Sequence, residues 1–221
     1  MLYSKIMEQK IKAIIFDMDG VILDSETISW KTWDIAAKEF NLENIEKTKE
    51  ICMGANRADT CNILRSVYGK DFKSEDFLER TSELFFEIEK KEGIPLMPYV
   101  KETLEYLSKK YTLALASSTR ATSVHRQLEA AGVKHFFKTI TTGDMVVHSK
   151  PDPEIYKIAC SSIGMKPSEC AAIEDSFNGI RSAAAAGLFT IMVPDKVQPT
   201  QEIKDLCNKI CTSLNEIKTF L

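Results

Sequence analysis

The sequence is short of the residues and patterns that mark several common functions. Its 221 residues include only three histidines, His125, His135 and His148, which do not cluster in the sequence, so a zinc site is not expected. It has no lysine- or arginine-rich tract, and its 29 basic and 32 acidic residues give a formal net charge of −3. Nucleic acid and membrane surfaces are therefore not expected as partners.

Long hydrophobic runs are also missing. No segment approaches the length needed to cross a membrane, and residues 1–10 lack the apolar core of a signal peptide. Six dispersed cysteines indicate reduced, partly buried thiols. These features predict a cytoplasmic protein. Since the sequence shows no obligate interface, a monomer is the expected state.

Two carboxylates directly follow an apolar run in residues 14–21, IIFDMDGV. The run is typical of a short strand buried on both faces of a parallel sheet. Because ligands of open α/β sheets bind beyond the carboxyl ends of the strands, Asp17 and Asp19 are expected to project into that crevice, with Gly20 permitting the turn. Such hard oxygen ligands suit Mg²⁺, although an ordinary acidic turn explains this segment equally well.

A second apolar run, LALA at 113–116, leads into three hydroxyls and a guanidinium, on Ser117, Ser118, Thr119 and Arg120. Hydroxyl and backbone N–H donors in this cluster could hold phosphoryl oxygens. A helix N-cap is the alternative explanation, because serine and threonine are favoured there as well.

Two later segments carry further polar residues. The loop HSKPDP at 148–153 places prolines around Lys150, a signal that is weak alone. The short apolar run CAAI at 170–173 ends at Glu174 and Asp175. By itself, Asp175 could simply cap the alanine-rich helix that is expected to end near Gly187.

Taken in order, these segments resemble the motifs of the haloacid dehalogenase-like (HAD) superfamily, and most of all its branch of β-phosphoglucomutases and small-molecule phosphatases. The matching pieces are Asp17-Met18-Asp19-Gly20-Val21, Ser117 at a strand end, Lys150 in Ser-Lys-Pro, and Glu174-Asp175-Ser176 with Gly179-Ile180. They span nearly the whole chain. One DxD pair would be weak support, whereas four ordered motifs at this spacing are specific.

The resemblance implies covalent phosphoryl transfer. Asp17 would be the nucleophile that forms an aspartyl-phosphate, and Asp19 would act first as the general acid and then as the general base. Ser117 and Lys150 would hold the phosphoryl oxygens. The neighbouring hydroxyls are candidate substrate contacts, on Ser118 and Thr119.

The resemblance also implies a Mg²⁺ site. The metal would be bound by Asp17, by the backbone carbonyl of Asp19 and by Asp175, with Glu174 either a ligand or the neighbour of one. The acid at position 19 disfavours dehalogenation, because the dehalogenases of the superfamily lack it and attack carbon.

The apolar pattern changes along the chain and predicts two domains. Residues 25–96 contain helical patterns at 28–40, 57–68 and 77–91 without a convincing parallel strand, as expected for an inserted α-helical cap domain. Elsewhere helices alternate with apolar strands, which are expected near Leu113, Ile140, Ala172 and Ile191. Residues 1–24 and 97–221 are therefore expected to form an α/β core, a Rossmann-like doubly wound parallel sheet.

Departures from the mutase pattern favour hydrolysis. The first cap helix of the β-phosphoglucomutases carries a histidine where this chain has Ser29, and a lysine precedes a cap glycine where this chain has Met53. An arginine further along the cap is retained as Arg57. After the serine loop, the mutases have Lys-Asn where this chain has Arg120-Ala121.

We therefore expect a Mg²⁺-dependent phosphatase that acts on a small phosphorylated metabolite, with a sugar phosphate favoured. Arg57 and Arg120 are candidate substrate contacts, although a solvent-facing position explains either arginine equally well. A sugar-phosphate mutase is the alternative. A phospho-receiver switch also combines aspartates, a hydroxyl and a lysine, but it would place its phospho-acceptor on a later strand and would need no inserted cap.

Overall fold

A computed structural model describes residues 11–52, 55 and 57–221. The chain divides into two compact units, which we call the core unit, the described residues up to Asp24 with Pro95–Leu221, and the helical unit, Ser25–Ile94. The boundary predicted from the sequence falls after residue 96, whereas the compact helical unit ends at Ile94. Leu23 forms an antiparallel bridge with Leu96, and the Asp24 N–H donates to the Pro95 carbonyl at 2.8 Å, so both later residues belong to the core unit.

The helical unit contains the first four helices of the described chain. They are α1 (Ser25–Glu39), α2 (Ile45–Cys52), α3 (Arg57–Tyr68) and α4 (Ser74–Glu92). The three predicted helical patterns are confirmed in α1, α3 and α4. Helix α2 was not predicted, because it is only eight residues long and mostly polar.

Apolar stripes hold the helical unit together. Ala36 of α1, Leu64 of α3 and Phe77 of α4 are almost completely buried in one cluster. The Trp33 and Phe77 rings pack edge to face with centroids 5.2 Å apart, a geometry that aromatic quadrupoles favour. This unit therefore has a hydrophobic core of its own.

The core unit is a six-stranded parallel sheet in the order β3-β2-β1-β4-β5-β6. Its strands are β1 (Ala13–Phe16), β2 (Thr112–Ala116), β3 (Thr139–Thr141), β4 (Cys170–Glu174), β5 (Phe189–Met192) and β6 (Lys209–Ile210). The chain starts in the middle, winds to one edge and then winds to the other, which confirms the doubly wound Rossmann-like fold. The two-residue strand β6 was not predicted, because so short a segment has no readable period.

Helices cover this sheet and connect its strands. They are α5 (Val100–Leu107), α6 (Ala121–Ala130), α7 (Glu154–Ser162), α8 (Phe177–Ala186), α9 (Gln201–Leu206) and α10 (Leu214–Ile217). No helix in the described part of the chain has both the length and the apolar character needed to cross a membrane.

Small side chains let α7 approach the sheet closely. Ala114 and Ala116 of β2 and Ala172 of β4 are fully buried in the same cluster as Ile155 and Tyr156 of α7. Because protein interiors are close-packed, small side chains on the strands leave room for the Tyr156 ring. The first turn of α7 consequently packs against the strands near their carboxyl ends.

Candidate active site

Three neighbouring strand ends bring the predicted acids and the serine to one edge of the sheet. β1 lies between β2 and β4, and Phe16 is in register with Leu115 and Ile173. Asp17 and Ser117 follow β1 and β2 directly, and Glu174 is the last residue of β4. Asp17, Ser117 and Glu174 are far apart in sequence, yet the parallel pairing of their strands brings them to the same edge of the sheet.

Lys150 joins these strand ends. Its Nζ donates to Asp17 Oδ1 at 2.5 Å, to Glu174 Oε1 at 2.6 Å and to the Ala116 carbonyl at 3.1 Å. These contacts match the three donors of an ammonium group. The Lys150 side chain is 7% exposed and that of Glu174 is 0% exposed, so the charges interact in a poorly solvated environment.

Burial raises the pKa of Asp17 to about 7, and repulsion from Glu174 and Asp19 adds to this effect, while Lys150 opposes it. Burial alone would lower the pKa of Lys150, but attraction to Asp17 and Glu174 more than reverses this and raises it. The lysine therefore stays charged. A single positive charge does not offset this group of acids, so the site favours an additional cation.

The carboxylates fit a hard divalent cation. Oxygens of Asp17, Glu174 and Asp175 lie within 4.8 Å of one another, and oxygen ligands from two or more acids are the donors that Mg²⁺ prefers. Gly20 makes room for this group, because a Cβ at its position would lie 2.2 Å from Asp175 Oδ2. Its φ of +74° is also one that glycine adopts without strain.

Glu174 is held by several donors. Its Oε1 accepts the Tyr156 hydroxyl at 2.6 Å as well as Lys150, and its Oε2 accepts the Ser176 hydroxyl at 3.2 Å. A Cβ at Gly179 would lie 2.0 Å from this carboxyl group, which explains why glycine follows the Glu-Asp pair. Tyr156 was not among the predicted site residues, because a lone aromatic residue on a helix is usually part of the core.

The three hydroxyl side chains that follow β2 differ in burial and in hydrogen bonding. Ser117 is completely buried, and its Oγ accepts the Thr119 N–H at 3.1 Å. Thr119 Oγ1 donates to Asp19 Oδ2 at 3.0 Å, a contact that the sequence could not show. Ser118 is exposed, and its carbonyl packs so closely against Gly143 that a Cβ there would lie 2.0 Å away.

The two candidate arginines are exposed and lie in different units. Arg120 is the N-cap of α6, next to Asp144, whose carboxylate accepts the Ala121 N–H at 3.0 Å. Arg57 is the first residue of α3 in the helical unit. Ser29 and Met53 are the two cap positions that depart from the mutase pattern. Ser29 lies within α1, whereas Met53 lies outside the described residues.

Glu154 anchors the loop that carries Lys150. Its carboxylate accepts the Val147 N–H at 3.1 Å and the His148 N–H at 2.8 Å, and Asp152 Oδ1 accepts the Glu154 N–H at 2.9 Å. Oxygens of both acids and the His148 ring nitrogen lie within 4.8 Å of one another. These carboxylates thus bind backbone donors of the loop, which fixes the approach of Lys150 to the strand ends.

A doubly wound sheet with an Asp-x-Asp pair directly after its first strand, and with a lysine and further acids at the adjacent strand ends, is characteristic of haloacid dehalogenase-like proteins. The sequence profile of the haloacid dehalogenase-like hydrolase family matches residues 14–193, and the chain belongs to this family.

Individual relatives agree with this assignment. The phosphorylated carbohydrates phosphatase of Thermotoga maritima is 31% identical over 186 residues, 82% of this chain and 84% of that one. Pyrophosphatase PpaX of Oceanobacillus iheyensis is 29% identical over 198 residues, 88% of each chain. The crystal structure of a Thermotoga maritima protein provisionally named β-phosphoglucomutase covers 96% of this chain and 100% of its own, with 26% identity and a TM-score of 0.78. The protein is therefore an enzyme of a hydrolase family whose curated relatives include phosphatases.

The raised pKa of Asp17 predicts a pH-dependent stability for the metal-free protein. Between pH 3.8 and about 7 the native state holds a proton on Asp17 that the unfolded state has lost, so stability falls as pH rises through this window. Relative to Asp17→Asn, the free energy of unfolding of the wild type should fall by roughly 2 to 3 kcal/mol from pH 5 to pH 7. Melting both proteins in chelator across this range tests the effect, and parallel Tm curves would contradict it.

Proposed function

We propose that the protein is a Mg²⁺-dependent phosphatase that hydrolyses a small phosphorylated metabolite through an aspartyl-phosphate on Asp17. The observation that carries the proposal is the buried arrangement of Lys150 between Asp17 and Glu174, with Asp175 beside them. Phosphoryl transfer needs chiefly positioning and charge neutralisation, which such a group supplies. A sugar phosphate is the favoured substrate, because one curated relative is named for phosphorylated carbohydrates.

In the first step, an Asp17 carboxylate oxygen forms a bond to phosphorus as the bond to the leaving oxygen breaks. Asp19 donates its proton to that leaving oxygen, which departs as an alcohol. In the second step, Asp19 takes a proton from water while the water oxygen attacks phosphorus. The Asp17 carboxylate is then released and inorganic phosphate is formed.

Positive charge and hydrogen-bond donors hold the transferring group. Lys150 and Ser117 would contact its oxygens. Lys150 donates to Asp17, and Ser117 follows β2, the strand paired with β1. Mg²⁺ would be held by Asp17, the Asp19 carbonyl and Asp175, with Glu174 beside them. When bound, it would offset the negative charge shared by the acids and the phosphoryl group.

The remaining candidates are assigned to substrate contact. Ser118 and Arg120 are exposed at the edge of the hydroxyl cluster, where they suit the part of the substrate that is not transferred. Arg57 is proposed as a contact from the helical unit. Thr119 has a second task, because its hydroxyl donates to Asp19 and so orients the general acid.

Thr119→Val should therefore slow phosphatase turnover in a way that depends on the leaving group. An alkyl phosphate needs the proton from Asp19, whereas p-nitrophenyl phosphate does not, because p-nitrophenolate leaves readily. Because the later hydrolysis step also uses Asp19 and is common to both substrates, the comparison uses kcat/KM, which reports only the steps up to release of the leaving group. We expect kcat/KM to fall about tenfold for the alkyl ester and less than about twofold for the nitrophenyl ester. Thr139→Val, which removes a hydroxyl bonded to Ser162, is the matched control. Equal losses on both substrates would contradict a role in orienting Asp19.

A sugar-phosphate mutase is the second candidate. The retained Arg57 and the structural relative with a mutase name favour it. Against it stand Ser29, Met53 and Ala121, each of which departs from the mutase pattern. The two activities differ in whether water or a second sugar hydroxyl takes the phosphoryl group from Asp17.

³¹P NMR separates these functions directly. The protein is incubated with Mg²⁺ and a panel of phosphomonoesters, including β-glucose 1-phosphate with a trace of its bisphosphate. We expect inorganic phosphate to grow, and to stop growing in excess chelator. Conversion of the 1-phosphate into the 6-phosphate without free phosphate would establish the mutase instead. A long-lived phosphoprotein without turnover, after acetyl phosphate treatment, would indicate a receiver switch.

A further inference from the structure

Tyr156 makes two contacts to the buried charge cluster and is itself completely buried. Its hydroxyl donates to Glu174 Oε1 at 2.6 Å. Its ring carries the Lys150 ammonium 5.3 Å from the centroid, within the range of a cation–π interaction. One side chain thus contacts both the lysine and the acid that share the strand ends.

The hydroxyl shares an acceptor with the lysine. Glu174 Oε1 accepts hydrogen bonds from both Tyr156 and Lys150, while Oε2 accepts one from Ser176. A donated hydrogen bond spreads part of the negative charge on Oε1, which weakens its attraction for the ammonium group. Burial, with the nearby Glu174 charge, raises the pKa of Tyr156 well above its ordinary value, so the phenol keeps its proton.

We propose that Tyr156 is a positioning residue that holds the Glu174 carboxylate and thereby keeps Lys150 available to Asp17. Without the hydroxyl, Glu174 would draw the ammonium group towards itself and away from Asp17 and the transferring phosphoryl group. The acid would also lose one of the contacts that fix its orientation beside Asp17 and Asp175. This inference rests on the proposed function for the role of Asp17, but the effect on cation binding does not require turnover.

Two substitutions separate the contributions of the hydroxyl and the ring. Tyr156→Phe removes only the hydroxyl, and Tyr156→Leu removes the ring contact to Lys150 as well. Changes to residues that orient metal ligands typically cost 10- to 100-fold in affinity or activity. We expect the phenylalanine variant to lose about tenfold in kcat and in Mg²⁺ affinity, with KM within about twofold of wild type, and the leucine variant to lose more. Tyr106→Phe, which removes a surface hydroxyl bonded to Lys110, is the control and should match the wild type.

A double-mutant cycle with Glu174→Met, which has a similar length but no oxygen to accept the Tyr156 hydroxyl, tests whether Tyr156 acts through the acid. Mg²⁺ affinity is measured by titration calorimetry, and kcat and KM by phosphate release. If Tyr156 acts through Glu174, adding Tyr156→Phe to Glu174→Met should change neither kcat nor Mg²⁺ affinity further. Additive losses would overturn the proposal. So would wild-type kcat and Mg²⁺ affinity in either Tyr156 variant, even with a lower Tm.

Different results would contradict the proposed function and the positioning role of Tyr156. If the wild type releases phosphate from no phosphomonoester, the proposed function fails, while calorimetry still reports whether Tyr156 affects cation binding. If the wild type is active and only the Tyr156 variants behave like wild type, the proposed function stands and the positioning role fails.

Discussion

Asp17→Asn is expected to lower kcat for phosphomonoester hydrolysis by at least about a thousandfold. The amide is nearly isosteric with the carboxylate, but it is a poor nucleophile towards phosphorus. The substitution should also leave the protein folded. Burial raises the pKa of the Asp17 carboxyl to about 7, which shows that its charged form is unfavourable in this site, and the neutral amide removes that charge. Phosphate release and circular dichroism of the same preparation test both expectations.

A control for Asp17→Asn is available on the surface of the core unit. Asp205→Asn makes the same chemical change in α9, where the exposed carboxylate accepts a hydrogen bond from Gln201 at 2.8 Å. This variant should retain wild-type turnover. Activity in Asp17→Asn close to that of the control would rule out Asp17 as the nucleophile.

Removing the Lys150 charge is expected to have the second-largest effect. Lys150→Met leaves Asp17 and Glu174 facing each other in a buried site without their shared cation. Breaking a buried ion pair by removing one partner typically costs about 3 to 5 kcal/mol. In addition, kcat should fall by about a hundredfold or more, because a charge that holds the phosphoryl oxygens is lost.

Denaturant unfolding at pH 7.5 in chelator measures the stability loss, with Lys157→Met, an exposed lysine of α7, as the matched control. Adding Asp17→Asn to Lys150→Met should restore part of the lost stability, since one of the two uncompensated acids is then neutral. The double variant should remain inactive. A Lys150→Met protein as stable as the control, or a double variant less stable than Lys150→Met, would contradict the conclusion that Lys150 offsets the charges of Asp17 and Glu174.

The strand ends were readable from the sequence because apolar runs stop there at polar residues. The runs before Asp17, Ser117 and Glu174 each have the length of a buried strand, and parallel pairing then brings their ends together. Helices α1, α3 and α4 were readable for a similar reason, because each is long enough to show its apolar period. Helix α2 and strand β6 are too short to show one.

Contacts between distant residues could not be read in this way. Lys150 lies in a loop without a periodic pattern, and its ion pair with Asp17 spans 133 residues of sequence. The hydroxyl of Thr119 looks like that of any N-cap threonine until its bond to Asp19 is seen. Tyr156 resembles an ordinary core aromatic residue, and only its position beneath Glu174 and Lys150 distinguishes it.

The most direct test of the central claim is to trap the phosphorylated enzyme. Wild-type protein is mixed with Mg²⁺ and a turned-over substrate, quenched in acid within milliseconds, reduced with borohydride and analysed by peptide mass spectrometry. Because borohydride converts an aspartyl-phosphate into homoserine, the account predicts homoserine at position 17 in the wild type. Phosphate release without any modification of Asp17, or with modification of a different residue, would contradict it.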